Sequence, residues 1–547
     1  MPTITVGLSD LNRLLGEDYT LEELRRPLQE LGIEVEGMTE EGLKLEVHHN
    51  RPDLLGVEGV ARSLKGYLEI ETGKPDYELG DPKIRLEVDP SIEGTRPVAV
   101  MGHIENAEFD DDSLKALMDL QEKLHQILGR DRQKISIGAY DLEGMEMPIR
   151  YTTTPPDGEG FIPLEFDEKL SPEEILEEHP KGRRYSHLLE DCDRYPLLVD
   201  SEGEVLSMPP VINSEPRKVT VDSENIGLDV TGIDERVARQ ALRVIMCTVA
   251  ERGFDIRAVD VEYPDRKFRT PSLDGEERSF NLDRANRELG LDLSSREACG
   301  LIKRMRYDVL GEEDGNIRVK VPPYRSDLMH EVDLFEDLAV GYGYNDLEPY
   351  LPDLETSGEP HPRKEIGRKA RRVLTGFGFV EVMPFMLTSR ELNFNLMRTE
   401  GEAVTVENPV SEEYSIVRTW LLPGLMEVLR ENKQHELPQR IFEVDEVLEL
   451  DEEAETGARN VLRAAGAVIG EDANFSYARA VAEALFRELR VDWTVEPYDH
   501  PSFLNKRAAE FLVDGESWGL VGEMHPEVIL NFELEHPVSA FEVNLPR

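Results

Sequence analysis

The sequence predicts a mixed α+β protein of several domains, and three observations support this. A chain of 547 residues is long enough for three to five domains. Short runs with the pattern of strands alternate along it with stretches whose apolar residues recur at helical spacing. Cys192, Cys247 and Cys299 are far apart and form no CxxC pair, so neither a disulfide framework nor a zinc ribbon is expected.

Acidic side chains dominate the composition. Lys and Arg together number 62 against 113 Asp and Glu, which gives a formal net charge of −51. Nucleic-acid-binding proteins usually carry the opposite sign, so charge alone argues against RNA binding. The excess acid is spread along the chain, which predicts a halophile's cytoplasm, where strong acidity keeps a protein hydrated. An ordinary acidic cytosolic protein is the alternative.

No stretch has the composition of a membrane span or a leader. No run of about 18 apolar residues occurs. The N-terminal sequence MPTITVGLSDLNRLLG lacks a basic region ahead of an apolar one. We therefore expect a cytoplasmic protein with no membrane partner.

The first predicted domain, residues 1–92, is a small N-terminal α/β unit. Thr3–Gly7 is expected as a strand, and Thr20 with Glu23 predicts a capping box ahead of a helix. The motif NRPD at residues 50–53 opens a further helix, with proline in its first turn. We assign this motif a structural role rather than a direct part in catalysis.

The second predicted domain, residues 93–265, is a larger α/β region. Val98–Ile104 and Ile135–Asp141 have the short apolar pattern of strands. Ser113–Gly129 and Glu235–Glu251 have apolar residues at helical spacing. Strands and helices are therefore expected to mix throughout this region.

The third predicted domain, residues 268–347, has the order strand, helix, helix, strand. A unit of this size and order suggests a winged-helix-like module, a fold that often contacts nucleic acid. Lys303, Arg304 and Arg306 at the end of its second helix are candidates for RNA contact. Ordinary exposed helix residues are the alternative interpretation.

The segment Val321–Asn345, VPPYRSDLMHEVDLFEDLAVGYGYN, predicts a further helix in this module. Ser326 is the expected N-cap, and Gly341 and Gly343 are expected to end the helix. Apolar residues at i, i+4, i+7 and i+11 predict one stripe of that helix: Leu328, Val332, Phe335 and Ala339.

Carboxylates gather on another face of the same predicted helix. Asp333, Glu336 and Asp337 have i, i+3, i+4 spacing, and Asp327 lies at the expected helix start. Such a face repels itself unless a cation or a basic partner covers it, and hard oxygen ligands suit Mg²⁺. From the spacing alone, a solvated acidic face remains the alternative to a metal site.

The string PPYRSDLMHEVDLFEDLAVGYGYNDLEP closely resembles the metal-contributing segment of the β subunit of phenylalanyl-tRNA synthetase. NRPD resembles the N-terminal signature of the same family, and the resemblance, to archaeal members, covers nearly the whole chain. It implies that Asp327, Asp333, Glu336 and Asp337 bind Mg²⁺ shared with a catalytic α subunit. Asp337 stands where Glu is usual in the family, and its shorter side chain leaves room for a water.

In the resembling family, the region that matches residues 93–265 is an editing domain, which hydrolyses tyrosine mistakenly attached to tRNA(Phe). An apolar pocket rejects an added hydroxyl by only about 100-fold, so a second pocket is needed to sort tyrosine from phenylalanine. The resemblance implies an editing pocket around five residues: Leu198, Ser207, Asn213, Asp229 and Thr231. Asp229 or Ser207 would bind the tyrosine hydroxyl, and a bound water would be the nucleophile. Ordinary turn chemistry is the alternative for the polar positions.

The fourth predicted domain, residues 355–547, opens with a basic helix in an otherwise acidic chain. Six cations lie close together in it: Arg363, Lys364, Arg368, Lys369, Arg371 and Arg372. RNA, an acidic partner chain and plain solvent are the open alternatives for this face. The apolar stretch Trp420–Leu429 is expected to pack against a partner chain.

The same domain resembles the β-subunit version of a class II synthetase core, which is built on an antiparallel sheet. Asn408-Pro409, Arg418 and the strand at Phe442-Glu443 carry this resemblance. Active class II cores have a Gly-rich segment ending in an arginine that holds ATP phosphates, whereas none follows Gly522 here. The domain is therefore expected to lack the catalytic motifs of aminoacylation.

The resemblance implies an (αβ)₂ heterotetramer that joins phenylalanine to tRNA(Phe) while ATP is converted to AMP and diphosphate. The α subunit would carry the adenylation site, whereas this chain would supply Mg²⁺ ligands at the interface, bind tRNA(Phe) and edit. Two rivals are a free-standing tRNA-editing hydrolase and a nucleic-acid-binding regulator. The continuous match through the last domain argues against the first, and the acidic segment Val321–Asn345 argues against the second.

Overall fold

The computed structural model describes residues 2–39, 42–352 and 356–546. The chain divides into two compact units, Met1–Tyr350 and Leu351–Arg547. Each unit combines helices with sheets, which confirms the predicted mixed α+β, multidomain fold class. None of the helices in the described ranges combines the length and the apolar character that a membrane span needs.

The N-terminal part of the first unit is a three-stranded sheet with three helices. Its strands, in the order β1-β3-β2, are β1 (Thr3–Val6), β2 (Glu34–Thr39) and β3 (Gly42–Glu46). Its helices are α1 (Leu8–Leu15), α2 (Leu21–Glu30) and α3 (Val57–Tyr67). The capping box predicted ahead of α2 is confirmed, because Thr20 and Glu23 each accept a hydrogen bond from the other's backbone N–H.

A ten-stranded sheet forms the largest part of the first unit. Its strands are β4 (Leu79–Val88), β5 (Val98–Glu105), β6 (Ile135–Asp141), β7 (Ile149–Thr154), β8 (Tyr195–Val199), β9 (Val205–Met208), β10 (Ile212–Asn213), β11 (Ile226–Gly232), β12 (Asp255–Glu262) and β13 (Lys267–Thr270). Its helices are α4 (Asp111–Ile127), α5 (Pro172–Glu178), α6 (Pro180–Tyr185) and α7 (Glu235–Glu251). The first strand thus comes from residues that lie in the predicted N-terminal unit.

The first and last strands of this sheet lie next to each other. The order is β10-β9-β8-β7-β4-β12-β5-β11-β6, with β13 paired to β12, and only β4 runs parallel to its neighbours. The side-chain amide of Asn213 on β10 donates to the carbonyl oxygen of Ala139 on β6 at 3.2 Å. The sheet therefore curls until its first and last strands meet at a seam. Helix α7 packs on β5 and β11.

A third sheet completes the first unit. Its strands, in the order β14-β16-β15, are β14 (Glu277–Asn281), β15 (Asp308–Glu313) and β16 (Asn316–Lys320). Its helices are α8 (Leu282–Leu289), α9 (Ser295–Arg304) and α10 (Glu331–Tyr342). The predicted order of strand, two helices and strand is present. Of the two serines that could cap α9 on sequence grounds, Ser294 and Ser295, the structure uses Ser294.

Helix α10 begins later than the sequence predicts. His330, not Ser326, is its N-cap, because the side chains of His330 and Asp333 form a capping box there. Val332, which the predicted stripe buries, is 41% exposed. The helix does bury Phe335 and Ala339 of the predicted stripe, and it buries Leu334 and Leu338 beside them.

The second unit is a seven-stranded sheet with four α-helices and a small two-stranded sheet. The large sheet, in the order β17-β20-β21-β25-β24-β23-β22, contains β17 (Val380–Glu381), β20 (Gln439–Leu450), β21 (Ala458–Ile469), β22 (Thr494–Pro497), β23 (Phe503–Val513), β24 (Glu516–Met524) and β25 (Val538–Asn544). The small sheet pairs β18 (Leu387–Thr388) with β19 (Ile416–Val417). The helices are α11 (Pro362–Gly376), α12 (Leu422–Glu431), α13 (Phe475–Leu489) and α14 (Pro526–Asn531). The predicted domain limits Glu355 and Arg547 lie outside the described residues.

The expected role of the stretch Trp420–Leu429 as a docking face is wrong. Leu422, Leu425 and Met426 are fully buried within this chain's own core, because α12 packs against its own large sheet. The basic helix α11 buries Leu374 and neighbouring small residues on the same sheet. Its cations therefore lie toward solvent: Lys364, Arg368, Lys369 and Arg372 are all exposed.

Candidate functional site

A cavity of about 370 Å³ opens at the seam where β6 meets β10, and we call it the seam cavity. Four neighbouring strands supply its polar wall. Tyr140 comes from β6, Ser207 from β9, Asn213 from β10 and Asp229 from β11. The structure thus brings three of the residues expected in an editing pocket, Ser207, Asn213 and Asp229, to one cavity.

Tyr140 links Asp229 and Ser207 by hydrogen bonds. Its hydroxyl donates to Asp229 Oδ1 at 2.5 Å and lies 2.7 Å from Ser207 Oγ. Asp229 lies directly opposite Gly138 on β6, and Tyr140 is two residues further along the same face of that strand. A Cβ at Gly138 would overlap both the Tyr140 hydroxyl and Asp229 Oδ1, so this arrangement requires glycine there.

The carboxyl of Asp229 has an unusual protonation equilibrium. It is 1% exposed, and burial raises its pKa to about 7, although hydrogen bonds from Tyr140 and from backbone N–H groups oppose the rise. Burial and the neighbouring Asp229 raise the pKa of Tyr140 well above its ordinary value. Near neutral pH, Asp229 therefore exists both as an acceptor and as a protonated donor, and either form can bind a ligand hydroxyl.

Leu198 and Thr231 lie behind the wall of the seam cavity. Leu198, on β8, is fully buried and lies opposite Ser207 in the strand pairing. Thr231, on β11, is also fully buried, with its Oγ1 3.0 Å from the Oγ of Ser136. Both residues support side chains that line the cavity rather than lining it themselves.

Sequence reasoning missed Tyr140. The strand Ile135–Asp141 is predicted correctly, and a tyrosine in a buried strand usually needs a partner for its hydroxyl. That signal marks Tyr140 as a polar position. It does not reveal the partners, because Ser207 and Asp229 lie 67 and 89 residues further along the chain.

Arg325 forms ion pairs with two of the four expected metal ligands. Its guanidinium donates to the two carboxylate oxygens of Asp327 at 2.8 and 2.7 Å and to Asp337 Oδ2 at 2.9 Å. Tyr307 also donates to Asp337 Oδ2. Burial alone would raise the pKa of Asp327, but Arg325 and Arg51 outweigh it and lower that pKa to about 2. Asp327 and Asp337 therefore have an internal counter-ion in this chain.

The other two expected ligands, Asp333 and Glu336, form no ion pair within the described part of the chain. Asp333 Oδ2 accepts from the backbone N–H groups of Met329 and His330, both at 2.6 Å, and so caps α10. Glu336 is exposed and forms no hydrogen bond or ion pair with the described part of the chain.

Residues 2–39, 42–352 and 356–546 contain no group of three or more His, Cys, Asp or Glu side chains that could hold a metal ion. The oxygens left for a cation on the acidic helix are those of Glu336 and Asp333 Oδ1, one helical turn apart. Mg²⁺ often takes one or two carboxylates and fills its remaining positions with water, so this pair fits it.

In the second unit, Arg418 is buried and its charge is balanced by carboxylates of the same chain. It lines a cavity of about 1110 Å³, but its guanidinium pairs with Glu443 at 2.6 Å and with Asp445 at 3.0 Å. The same side chain donates to the carbonyl oxygen of Glu446 at 3.2 and 3.0 Å. Little of its donor capacity remains for a phosphate.

Three family models match the chain. The Phe-tRNA synthetase beta subunit B1 domain matches residues 1–70, the tRNA synthetase B5 domain matches residues 278–344, and the phenylalanyl tRNA synthetase beta chain CLM domain matches residues 347–545. Together these models reach into both compact units, but residues 71–277, which contain the whole ten-stranded sheet, lie outside them.

Similar proteins close that gap. The phenylalanine–tRNA ligase beta subunit of Archaeoglobus fulgidus is 40% identical over 551 residues, covering 100% of this chain and 98% of the relative. The Pyrococcus abyssi beta subunit is also 40% identical, covering 100% of this chain and 99% of the relative. A crystal structure of an N-terminal fragment of the Pyrococcus horikoshii beta subunit aligns with a TM-score of 0.61 and 40% identity, over 62% of this chain and 99% of the fragment. On the strength of these full-length matches, the chain belongs to the family of phenylalanine–tRNA ligase β subunits.

Proposed function

We propose that this chain acts with a catalytic α subunit, in an (αβ)₂ complex, to join phenylalanine to tRNA(Phe) with conversion of ATP to AMP and diphosphate. The match to β subunits of that name over 100% of the chain carries the proposal. A free-standing editing hydrolase is disfavoured, because the match continues through the whole second unit, which a hydrolase would not need.

The second unit, as proposed, is a class II synthetase-like core without aminoacylation chemistry. Arg418 supports this, because Glu443 and Asp445 already bind the guanidinium that a triphosphate would need. The edge of the unit also carries exposed apolar side chains: Val380 is 64%, Met383 86% and Phe385 76% exposed. Such a patch is typical of a protein interface, and we assign it to the α subunit.

The seam cavity, as proposed, is the site where the ester between tRNA(Phe) and a mistakenly attached tyrosine is hydrolysed. Asp229 binds the tyrosine hydroxyl, and the Tyr140 hydroxyl holds Asp229 and Ser207 in place for that contact. Water attacks the ester carbonyl, the bond to the ribose oxygen breaks, and that oxygen leaves with a proton. A phenylalanyl ester has no hydroxyl to form this contact, so it binds less tightly than a tyrosyl ester by the contribution of one hydrogen bond.

Asp333 and Glu336 are proposed as direct ligands for Mg²⁺ at the contact with the α subunit, with Asp327 and Asp337 held behind them by Arg325. A bound divalent cation would neutralise the exposed acidic face of α10. The module that carries it, proposed as winged-helix-like, would then present this face to the partner chain without self-repulsion.

Phenylalanine-dependent exchange of diphosphate into ATP tests the proposed division of labour. It is measured in concentrated KCl with this chain alone, with the α subunit alone and with both. We expect exchange by the complex and none by this chain alone. Exchange by this chain alone would overturn the proposal that its second unit lacks the adenylation site.

A further inference from the structure

The lining of the seam cavity has more cations than carboxylates, although the chain as a whole is strongly acidic. Arg132, Lys181 and Lys218 line the cavity, against the carboxylates of Glu122 and Asp229. Over the whole sequence the ratio is reversed, with 62 basic and 113 acidic residues. Asp229 is moreover partly protonated near neutral pH, since its pKa is raised to about 7. The cavity wall is therefore a local exception to the charge of the protein.

Lys181 is the least compensated of these cations. It lies in the first turn of α6, is half-buried, and forms no ion pair with any described residue. Burial and the neighbouring Arg132 lower the pKa of its ammonium group, while Glu165 and Glu122 raise it only through longer-range attraction. A half-buried ammonium beside a second cation is unfavourable unless an anion joins them.

Arg132 is held in place beside Lys181. Its guanidinium donates to the carbonyl oxygens of Pro210 and Val211 at 3.0 and 3.1 Å and lies 4.5 Å from the centre of the Tyr185 ring. Glu122 is 3.5 Å away and offsets part of its charge. The side chain is 8% exposed, and its Nε has no hydrogen-bond partner among the described residues. Arg132 thus contributes a fixed positive charge next to Lys181.

We propose that Lys181, with Arg132 beside it, binds a phosphodiester group of the RNA strand whose 3′-terminal ester enters the seam cavity. The inference rests on the proposed editing function and adds a subsite to it. A cavity of about 370 Å³ has space for the tyrosyl group and its ribose, which leaves the charged backbone at the rim. A lysine ammonium is a common point-charge partner for phosphate. The net charge of −51 repels RNA overall, so a local cation at the cavity helps to bring the strand to it.

Deacylation kinetics with the αβ complex test this subsite. Two substrates are compared, Tyr-tRNA(Phe) and 3′-O-tyrosyl-adenosine, which has the ester and the ribose but no phosphate. For Lys181→Ala we expect KM for Tyr-tRNA(Phe) to rise about tenfold, corresponding to one lost charged contact, with little change for the nucleoside ester. Lys181→Arg keeps the charge and should restore most of the affinity.

Lys169→Ala is the matched control. Lys169 lies in the same part of the chain but is paired with Glu159 and 55% exposed, so both substrates should be hydrolysed as by the unaltered complex. Equal effects of Lys181→Ala on both substrates, or no effect on either, would overturn the subsite. Competition by inorganic phosphate against the nucleoside ester would assign the site to a free phosphate ion instead. If the unaltered complex hydrolyses neither substrate, the editing function itself is wrong and the subsite falls with it.

Discussion

The guanidinium carbon of Arg62 lies 3.6 Å from the centre of the Tyr324 ring, and both side chains are buried. Arg62 belongs to α3, behind the NRPD motif, whereas Tyr324 belongs to the PPYRSD stretch ahead of α10. Arg62 also donates to the carbonyl oxygen of Asp53 at 3.4 Å and to the hydroxyl of Tyr77 at 3.3 Å. Tyr77 in turn donates to Glu251 at 2.5 Å. One arginine thus connects three parts of the first unit.

Replacing Arg62 should destabilise the first unit strongly. Arg62→Ala removes the cation–π contact and the 3.9 Å ion pair with Glu251, whose side chain is 10% exposed, and we expect this to lower the free energy of unfolding by roughly 3–5 kcal/mol. Urea denaturation of Arg62→Ala, with Tyr77→Phe for comparison, measures the loss of unfolding free energy. Tyr77→Phe, which removes only a hydroxyl, should cost about 1 kcal/mol. Equal losses for the two variants would contradict the central role of Arg62.

Asp229 should make stability fall as pH rises. Its folded pKa is about 7, above the ordinary value of 3.8, so the folded state holds a proton between these values that the unfolded state has lost. The unfolding free energy therefore decreases from about pH 4 to about pH 7, by up to roughly 4 kcal/mol from this group. The difference in unfolding free energy between the unaltered chain and Asp229→Asn, measured across this pH range, gives the contribution of Asp229. A constant difference would show that Asp229 titrates normally.

Gly138→Ala should strongly slow hydrolysis of Tyr-tRNA(Phe) without affecting aminoacylation. The added methyl group takes the space of the Tyr140 hydroxyl and of Asp229 Oδ1, so the hydrogen bonds between them must break. Deacylation by the variant complex should fall about 100-fold, the loss expected for a hydrogen bond to a charged group together with its geometry. Gly94→Ala is the control, because no atom lies within 4 Å of a Cβ built there. Normal deacylation by Gly138→Ala would rule out this cluster as the recognition element.

Glu336→Gln should weaken divalent-cation binding without harming the fold. The side chain is exposed and forms no hydrogen bond or ion pair among the described residues, so its loss should leave the unfolding free energy within about 0.5 kcal/mol. Binding of Mn²⁺ to the αβ complex, followed by electron paramagnetic resonance, should weaken about tenfold. Glu313→Gln, at another exposed position of the same module, should bind Mn²⁺ normally. Unchanged binding by Glu336→Gln would exclude Glu336 as a ligand.

Stability should rise with KCl concentration up to the molar range. The net charge of −51 repels itself at low salt, whereas at 1 M the Debye length is about 3 Å and the repulsion is screened. Thermal unfolding between 0.1 and 3 M KCl measures the effect, with sucrose as an uncharged control that stabilises by exclusion only. No increase with KCl would contradict the predicted adaptation to a salty cytoplasm.

Local features of the sequence were predictable because their causes are local. The capping box of Thr20 with Glu23 depends on side chains three residues apart, and it is present. The start of α10 was misplaced because two candidate caps compete, and the side chain of Asp333 favours His330.

The candidate site was harder to predict because it depends on distant strands. Ser207, Asn213 and Asp229 line one cavity only because the ten-stranded sheet curls until β10 meets β6. Strand alternation shows that a residue is buried, but it does not show whether the residue reaches a cavity. Thr231 was expected in the pocket and instead lies behind its wall, with its Oγ1 beside the Oγ of Ser136. The role of Tyr140 follows from the same long-range pairing.

The ion pairs of Arg325 bear on how the subunit is made. Asp327 and Asp337 both pair with an arginine of their own chain, so the stretch ahead of α10 has an internal cation for these carboxylates. A newly synthesised chain can therefore complete this module before it meets a second subunit.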